Sequence, residues 1–546
     1  MNVDLRDAQQ VAAYLRDVIS SRGNDDANAI LGQLDETALA VVVADLERYA
    51  DEVADPFARF RVLMILFGIF HRDRVEDGGT IYIRTAAMPD PERAAVYYEQ
   101  AQQVYIAAIS DLLDKELRSR GLHAEPDVTA YRLRIPEAYR ERTLRARSGV
   151  RIELDSCVGN DHVLVSQEIG ARIIHVSILL RNAETGAYDY PIEADVRRID
   201  EPVLRLHSVD KQAGPIEVRT TEALFDLRAE GANEWIRLSK AAVIAAGIVP
   251  YACGAAPDQF ELSAYLTQLG GGIEITTNVT GIPVGSGLGT SSAIAATILC
   301  ALVKFSGQTE SGLTDISDEE KRLVVARVLL VEQMIGALGG WQDPCTIFPG
   351  IKLLETQPGD FLPAWKPIAV AKEARDELVR RLRLTDGAYR QPSQAAAWQF
   401  TGLWVMRLKS VYDARMRSRE IVEDQIHHLE SGNIAAMGPL ESEDWINRTR
   451  ISPKATNPYV EQVLALVREG LPDQQIDFDA CGARGGAGGC WWIDPDTLLP
   501  EVFELAFTGA SLQAIDELKD RIRFEGTPHV YDYALNDTGI VFDLVP

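Results

Sequence analysis

Cysteine is scarce in this chain and scattered. There are six in 546 residues: Cys157, Cys253, Cys300, Cys345, Cys481 and Cys490. No two stand as Cys-x-x-Cys, which argues against zinc-ribbon and thioredoxin-type sites, and a disulfide framework is not expected in so long a chain. Positive charge is also short. Lys and Arg number 55 against 81 Asp and Glu, a net charge of -26. That balance argues against broad binding to nucleic acid or to an anionic membrane. It leaves room for a small anionic ligand, which needs only a local field. Long apolar runs are missing too. The run VLMILFGIF at 62–70 is too short to span a bilayer, and the opening MNVDLRD has no apolar signal core. The expectation is a cytoplasmic, reducing environment. Internal repeats and low-complexity linkers are absent. What remains is ordinary globular composition, 46% apolar and 25% charged, with length for two to four domains.

Against this background one string stands out: GIPVGSGLGTSSA at 281–293. An alternating segment at 273–279 precedes it and reads as a strand; the apolar, Ala-rich segment at 293–303 follows and reads as a buried helix. Between them lie Gly285, Gly287 and Gly289, then Thr290, Ser291 and Ser292. Glycine lets the backbone turn tightly and approach a ligand closely. A helix N-terminus offers free N–H groups and the positive dipole end to an anion, so a polyphosphate fits. No Lys follows the last glycine, so this is not the Walker loop, and the third glycine comes one residue early for the dinucleotide fingerprint. A glycine-rich turn that merely caps a core helix is the plain alternative.

Residues 1–145 read as mostly helical, with apolar residues at helical spacing over 36–49, 56–70 and 91–117. A packing or oligomerisation module is the expectation there, with His71 and His123 as surface or packing residues. Strand patterns begin near Gly149: 150–154, 171–180, 192–198, 203–207 and 216–219, with helices over 234–246 and 259–269. SDEE at 317–320 is a capping box that opens a helix carrying Glu332. That helix runs into GGWQD at 339–343, so Glu332 and Asp343 could face one anion. An isolated Glu on a helix is by default a solvated face; the neighbouring loop is what makes a Mg²⁺ role attractive, because a phosphate-bound hard cation wants one or two carboxylates. The last third predicts helices over 376–384, 395–429, 457–469 and 512–523 and a strand over 540–545. It also holds a second glycine-rich loop, DACGARGGAGGC at 479–490.

The string PVGSGLGTSSA at 283–293 resembles the phosphate loop of the GHMP kinases, with GSGLGTSS similar to the L-fucokinase branch. Glu332-Gln333-Met334, GGWQD at 339–343, FPGIK at 348–352 and TNP at 456–458 resemble the same branch. The resemblance runs from about Ser148 to the C-terminus. It implies an α+β, two-lobed GHMP-kinase fold using ATP and Mg²⁺: a helical N-terminal extension at 1–145, an ATP-binding N-terminal lobe at 146–365 and a C-terminal lobe at 366–546. Carried over residue by residue, Gly285, Ser286, Gly287, Leu288, Gly289, Thr290, Ser291 and Ser292 would wrap the triphosphate. Thr290, Ser291 and Glu332 would meet Mg²⁺. Asp343 would accept the proton of the substrate hydroxyl or orient that hydroxyl. Asp155, Asn160, Asp161, Gly340, Trp341, Gly485 and Gly486 would contact the substrate.

Two departures stand out. Relatives have Ala-Gly-Gly-Trp-x-Asp after the first strand, where this chain has DSCVGND at 155–161. Arg484 and Ala487 interrupt the late glycine loop. The implied activity is phosphorylation of a hydroxyl, first the anomeric one, of an L-fucose-like or modified sugar. The alternatives are a kinase of a non-sugar alcohol or nucleoside, and a degenerate nucleotide- or sugar-binding regulator. A fused pyrophosphorylase is not expected. The expected partners are a sugar-like small molecule and a second copy of the chain through the N-terminal helices, with neither nucleic acid nor membrane.

Overall fold

The computed structural model describes residues 4–20, 27–70, 90–119, 133–154, 162–228, 235–249, 253–254, 256–283, 286–337, 339–360, 362–390, 401–405, 407–470, 476–479, 486–494 and 499–546. The architecture is α+β. Alternating segments in the middle of the chain become two six-stranded sheets. In spatial order the first holds Val541–Val545, Thr143–Ser148, Ile192–Ile199, Gly272–Val279, Leu204–Ser208 and Ile216–Val218. Every neighbour pair is antiparallel except Gly272–Val279 with Leu204–Ser208. In the second sheet the long strand Ala171–Arg181 pairs with Ile351–Thr356, Val150–Glu153, Tyr533–Leu535 and Tyr188–Asp189, and Ala364–Pro367 adds to Ile351–Thr356. A third sheet orders Ile476–Asp479, Gly486–Ile493, Leu382–Arg390 and His529–Tyr531.

The helix Thr290–Phe305 lies on the first sheet, against Thr143–Ser148 and Ile192–Ile199. It is apolar on every side, so it is covered on every side: from Ala295 to Phe305 all its residues are buried. Ser148 Oγ and Thr297 Oγ1, 2.6 Å apart, pin it to the sheet. Beside it runs Asp318–Met334, opened by the capping box with both halves formed: Ser317 accepts from the Glu320 N–H, and Glu320 accepts from the Ser317 N–H.

The N-terminal region forms helices over Ala8–Ser20, Glu36–Glu52, Pro56–Phe70 and Pro91–Ser119. Asp35 caps the second of these through the Ala38 N–H at 2.8 Å. These helices do not stand apart. One apolar cluster runs from Val11 and Leu46 through Leu66 and Tyr105 to Ile275, Leu299 and Phe542. The strand Thr143–Ser148 crosses position 145, where the helical pattern was expected to stop.

Some expectations shift. The helix expected over 376–384 is Lys372–Arg381, and Leu382–Arg390 is a strand, claimed by pairing with Gly486–Ile493. The continuous helix expected over 395–429 breaks: Arg407 has φ +55°, and the long helix is Lys409–Ser431. The closing helix starts twelve residues early, at Pro500–Leu518. TNP at 456–458 acts as a helix start. Asn457 Oδ1 accepts from the Val460 N–H at 3.0 Å, and Pro458 takes the first helical position. Cys253 and Cys300 are free thiols, and the buried Cys345 Sγ donates to the Trp341 carbonyl at 3.1 Å. Cys157, Cys481, His71, His123 and Arg484 lie outside the described residues. No described helix is long and apolar enough to cross a membrane.

Candidate active site

The glycine string sits where two apolar clusters meet. Leu288 and Ala293 pack into the cluster of the second sheet, while Ala295 onward belongs to the first. Gly287 and Gly289 have φ of +82° and +67°, left-handed values that disfavour any side chain. Gly289 is the N-cap of Thr290–Phe305, and no side chain caps that helix. Its first-turn N–H groups are therefore left for water or a ligand. Among the described residues, the buried Ser286 Oγ and Thr290 Oγ1 have no hydrogen-bond partner.

Two carboxylates close on this turn. A Cβ placed on Gly289 would stand 2.8 Å from the Asp343 Cγ, so that carboxyl lies directly against the turn into the helix. Ser292 Oγ donates to Glu332 Oε1. A Cβ on Gly339 would run into the Glu332 carboxylate, so the glycine there makes room for it. Glu332 comes from the last turn of its helix, and Asp343 opens the 3-10 turn Asp343–Ile347. Both are almost fully buried, Glu332 3% and Asp343 1% exposed.

Behind Asp343 the strand Val150–Glu153 supplies two residues that sequence reasoning missed. Period two puts Arg151 and Glu153 on one face. Arg151 donates to Asp343 Oδ1 from Nε at 2.8 Å and lies 2.7 Å away through Nη2. Glu153 accepts from Gln342 Nε2 and from Arg448 of the helix Met437–Ile451. The signal was present: two charges on one face of a strand. A solvated face is the ordinary reading of that pattern, and here the face turns inward. In the same sheet, fully buried Lys352 donates to Ser177 Oγ at 2.8 Å and to the Phe348 carbonyl at 3.0 Å, and burial pushes its pKa down to about 7. Burial also holds its strand neighbour His175 well below the usual range.

Of the residues expected at the site, Ser286, Gly287, Leu288, Gly289, Thr290, Ser292, Glu332 and Asp343 come together. Ser291 is exposed, because one helical step turns it some 100° from Ser292, and the hydroxyl that meets Glu332 is that of Ser292. Gly340 and Trp341 are buried behind Asp343. Gly486 begins a strand of the third sheet, opposite Arg390. Gly285, Asp155, Asn160, Asp161 and Gly485 lie outside the described residues.

The donor set fits a hard cation bound to phosphate. No group of three or more His, Cys, Asp or Glu among the described residues could hold a metal by itself. Glu332 and Asp343 offer carboxylates, and Thr290 offers a buried oxygen without a partner. An ion here would complete its shell from phosphate and water, as Mg²⁺ does. Met334, two residues past Glu332, lines an open cavity of about 640 Å³ together with Ile106, Phe225, Leu227, Arg228 and Pro257.

Residues 257–350 match the family described as GHMP kinases N terminal domain. Among curated proteins, the L-fucokinase/L-fucose-1-P guanylyltransferase of Bacteroides fragilis is 26% identical over 357 residues, 64% of this chain and 34% of that protein. The bifunctional fucokinase/GDP-fucose pyrophosphorylase of Arabidopsis thaliana is 25% identical over 256 residues, 46% of this chain and 22% of that one. The matches thus span about a third or less of these relatives' length. Among solved structures, galactokinase of Lactococcus lactis complexed with galactose superposes with a TM-score of 0.49 at 11% identity, covering 80% of this chain and 99% of that one.

Proposed function

We propose, from the match of residues 257–350 to the family described as GHMP kinases N terminal domain, that the chain transfers the γ-phosphoryl group of ATP to a hydroxyl of a sugar. The observation that carries this reading is the junction of Gly289, Glu332 and Asp343. One carboxylate is hydrogen-bonded to a helix-start hydroxyl, and a second is pressed against the same turn. Phosphoryl transfer asks for little more than positioning and charge neutralisation around such a junction.

The first-turn N–H groups and the Ser286 and Thr290 hydroxyls bind the phosphates. Glu332, with Ser292 and Thr290, would hold Mg²⁺, which when bound offsets the charge on the phosphate oxygens. Asp343 takes the proton of the acceptor hydroxyl or orients it, and Arg151 fixes the direction of that carboxylate and offsets its charge. Ile106, Phe225, Leu227 and Met334 give the 640 Å³ cavity an apolar side that suits the base of ATP, while Glu222, Asp226 and Arg228 also line it. The two curated relatives are named as fucokinases, so an L-fucose-like sugar, phosphorylated at its anomeric hydroxyl, is the first acceptor to try.

The test is ATP consumption by the full chain over a panel of free sugars, with Asp343→Asn alongside. The expected result is turnover with at least one sugar and a loss of about a hundredfold or more in the variant, with ATP binding retained. Undiminished turnover in Asp343→Asn would sink the role of that residue. ATP binding without consumption on any sugar would instead favour a nucleotide-binding regulator.

A further inference from the structure

The seven-residue helix Val163–Ile169 is too short to hold itself in place; isolated helices below about 12 residues are marginal in water. Its position is set by what grips its ends, and both grips come in part from the N-terminal helices. At the start, His162 is the N-cap residue and is buried. Tyr105, from Pro91–Ser119, stacks on the His162 ring with centroids 5.2 Å apart and planes 9° off parallel. Its hydroxyl lies 3.0 Å from His162 Nε2. At the end, Glu168 is buried and pairs with Arg61 of Pro56–Phe70. It also accepts from Arg407 Nη1 at 2.8 Å and from the Trp404 indole at 3.0 Å.

The middle of this helix faces the site. The Trp341 indole N–H reaches Ser166 Oγ at 3.5 Å. Trp341 is fully buried and is followed directly by Gln342 and Asp343. Val163, Leu164 and Val165 share one apolar cluster with Phe60, Tyr105 and Trp341. Tyr105 thus sits two contacts from the segment that carries Asp343. Its chain neighbour Ile106 lines the cavity beside Met334.

Burying Glu168 between two guanidinium groups is a costly way to fill space. Apolar side chains of similar volume often do as well or better for stability alone. What an ion network adds is direction, because each partner accepts only one geometry.

We propose that the N-terminal helical layer is a working part of the site. Tyr105 and Arg61 are positioning residues that hold Val163–Ile169 and, through Ser166 and Trp341, set the placement of Asp343. The kinetic part of this inference rests on the kinase reading; the structural part does not.

The test uses the full-length chain carrying Arg61→Met, with Tyr105→Phe as a milder variant that removes one hydroxyl. Amide hydrogen exchange without ligands is the first readout. Exchange should rise in peptides covering 162–170 and 339–347 and stay unchanged in the strands Ile192–Ile199 and Gly272–Val279. A uniform rise, or no rise at the two segments, overturns the proposal. If Arg61→Met does not fold, Tyr105→Phe decides on the same readout. With an acceptor in hand, kcat should fall about tenfold in Arg61→Met while the KM for ATP holds, since misplacing a reacting group by an ångström is this expensive or more. Equal changes in kcat and in the KM for ATP would mark a merely structural role and overturn the positioning claim. If the parent chain consumes ATP with no sugar, the kinase reading fails, and the exchange data still decide whether the layer positions the 339–347 segment.

Discussion

Buried ionisable side chains are the densest feature at the scale of single residues, and Lys352 is the one whose charge is most open to test. Burial lowers its pKa to about 7, far below the ordinary lysine value of 10.5. Between those two values the unfolded chain carries a proton that the folded chain lacks. Stability from this residue is therefore fully present above pH 10.5 and is lost as the pH falls towards 7. Replacing it with Met should remove that slope: the difference in urea midpoint between parent and Lys352→Met should be largest near pH 7, in favour of the variant, and shrink towards pH 10. A difference that stays constant with pH would show that Lys352 is charged in the fold throughout. Glu332 and Asp343 were legible in the sequence because each sits beside a glycine string of unusual composition. Arg151, Glu153 and Arg448 were not. Their partners lie far off in the chain (Arg151 to Asp343, Glu153 to Arg448), and no local pattern encodes such a pairing.

Among the elements, the capped helix Asp318–Met334 links local sequence to the site most directly. Its cap was readable from SDEE alone, and the structure forms both halves of it. Ser317→Ala should cost about 1 kcal/mol of stability, a typical value for a lost N-cap, read as a lowered urea midpoint. Glu332 lies at the opposite end of the helix, so turnover at 25 °C should not change. A loss of activity at unchanged stability would mean that the cap governs the placement of Glu332. The strands Ile192–Ile199 and Gly272–Val279 were legible from their alternation, and the helices Thr290–Phe305 and Pro56–Phe70 from their length and nearly continuous apolar character. The failures share a cause. The segment at 382–384 continues a helical apolar spacing, but Trp491 and Trp492 on the paired strand draw it into the third sheet. Pairing with a distant strand overrides local preference there. The break at Arg407 likewise answers to Glu168, far back in the chain, and not to its own neighbours.

For the whole molecule, the decisive fact is that the N-terminal helices and the first sheet share one apolar cluster. Deleting residues 1–135 would uncover part of the apolar cluster that Val163 and Leu329 share with Tyr105 and Leu66. The expected outcome is loss of soluble, folded protein, checked by comparing the sedimentation and circular dichroism of 136–546 with the full chain. A soluble, folded fragment would show that the helices are an appendage. The same continuity explains what sequence could not give at this scale: helical spacing announces a helix but does not say against what it packs. A different consequence follows from the strands at 533–535 and 541–545. One closes against Ala171–Arg181 and the other against Thr143–Ser148, so both sheets that carry the site are completed by late segments. A ribosome delivers those segments long after the strands they complete. Until the strand Val541–Val545 has been made and has paired, the edge of Thr143–Ser148 stands open and its backbone groups are available to other chains. Chaperone cover during that interval should therefore raise the yield of folded protein.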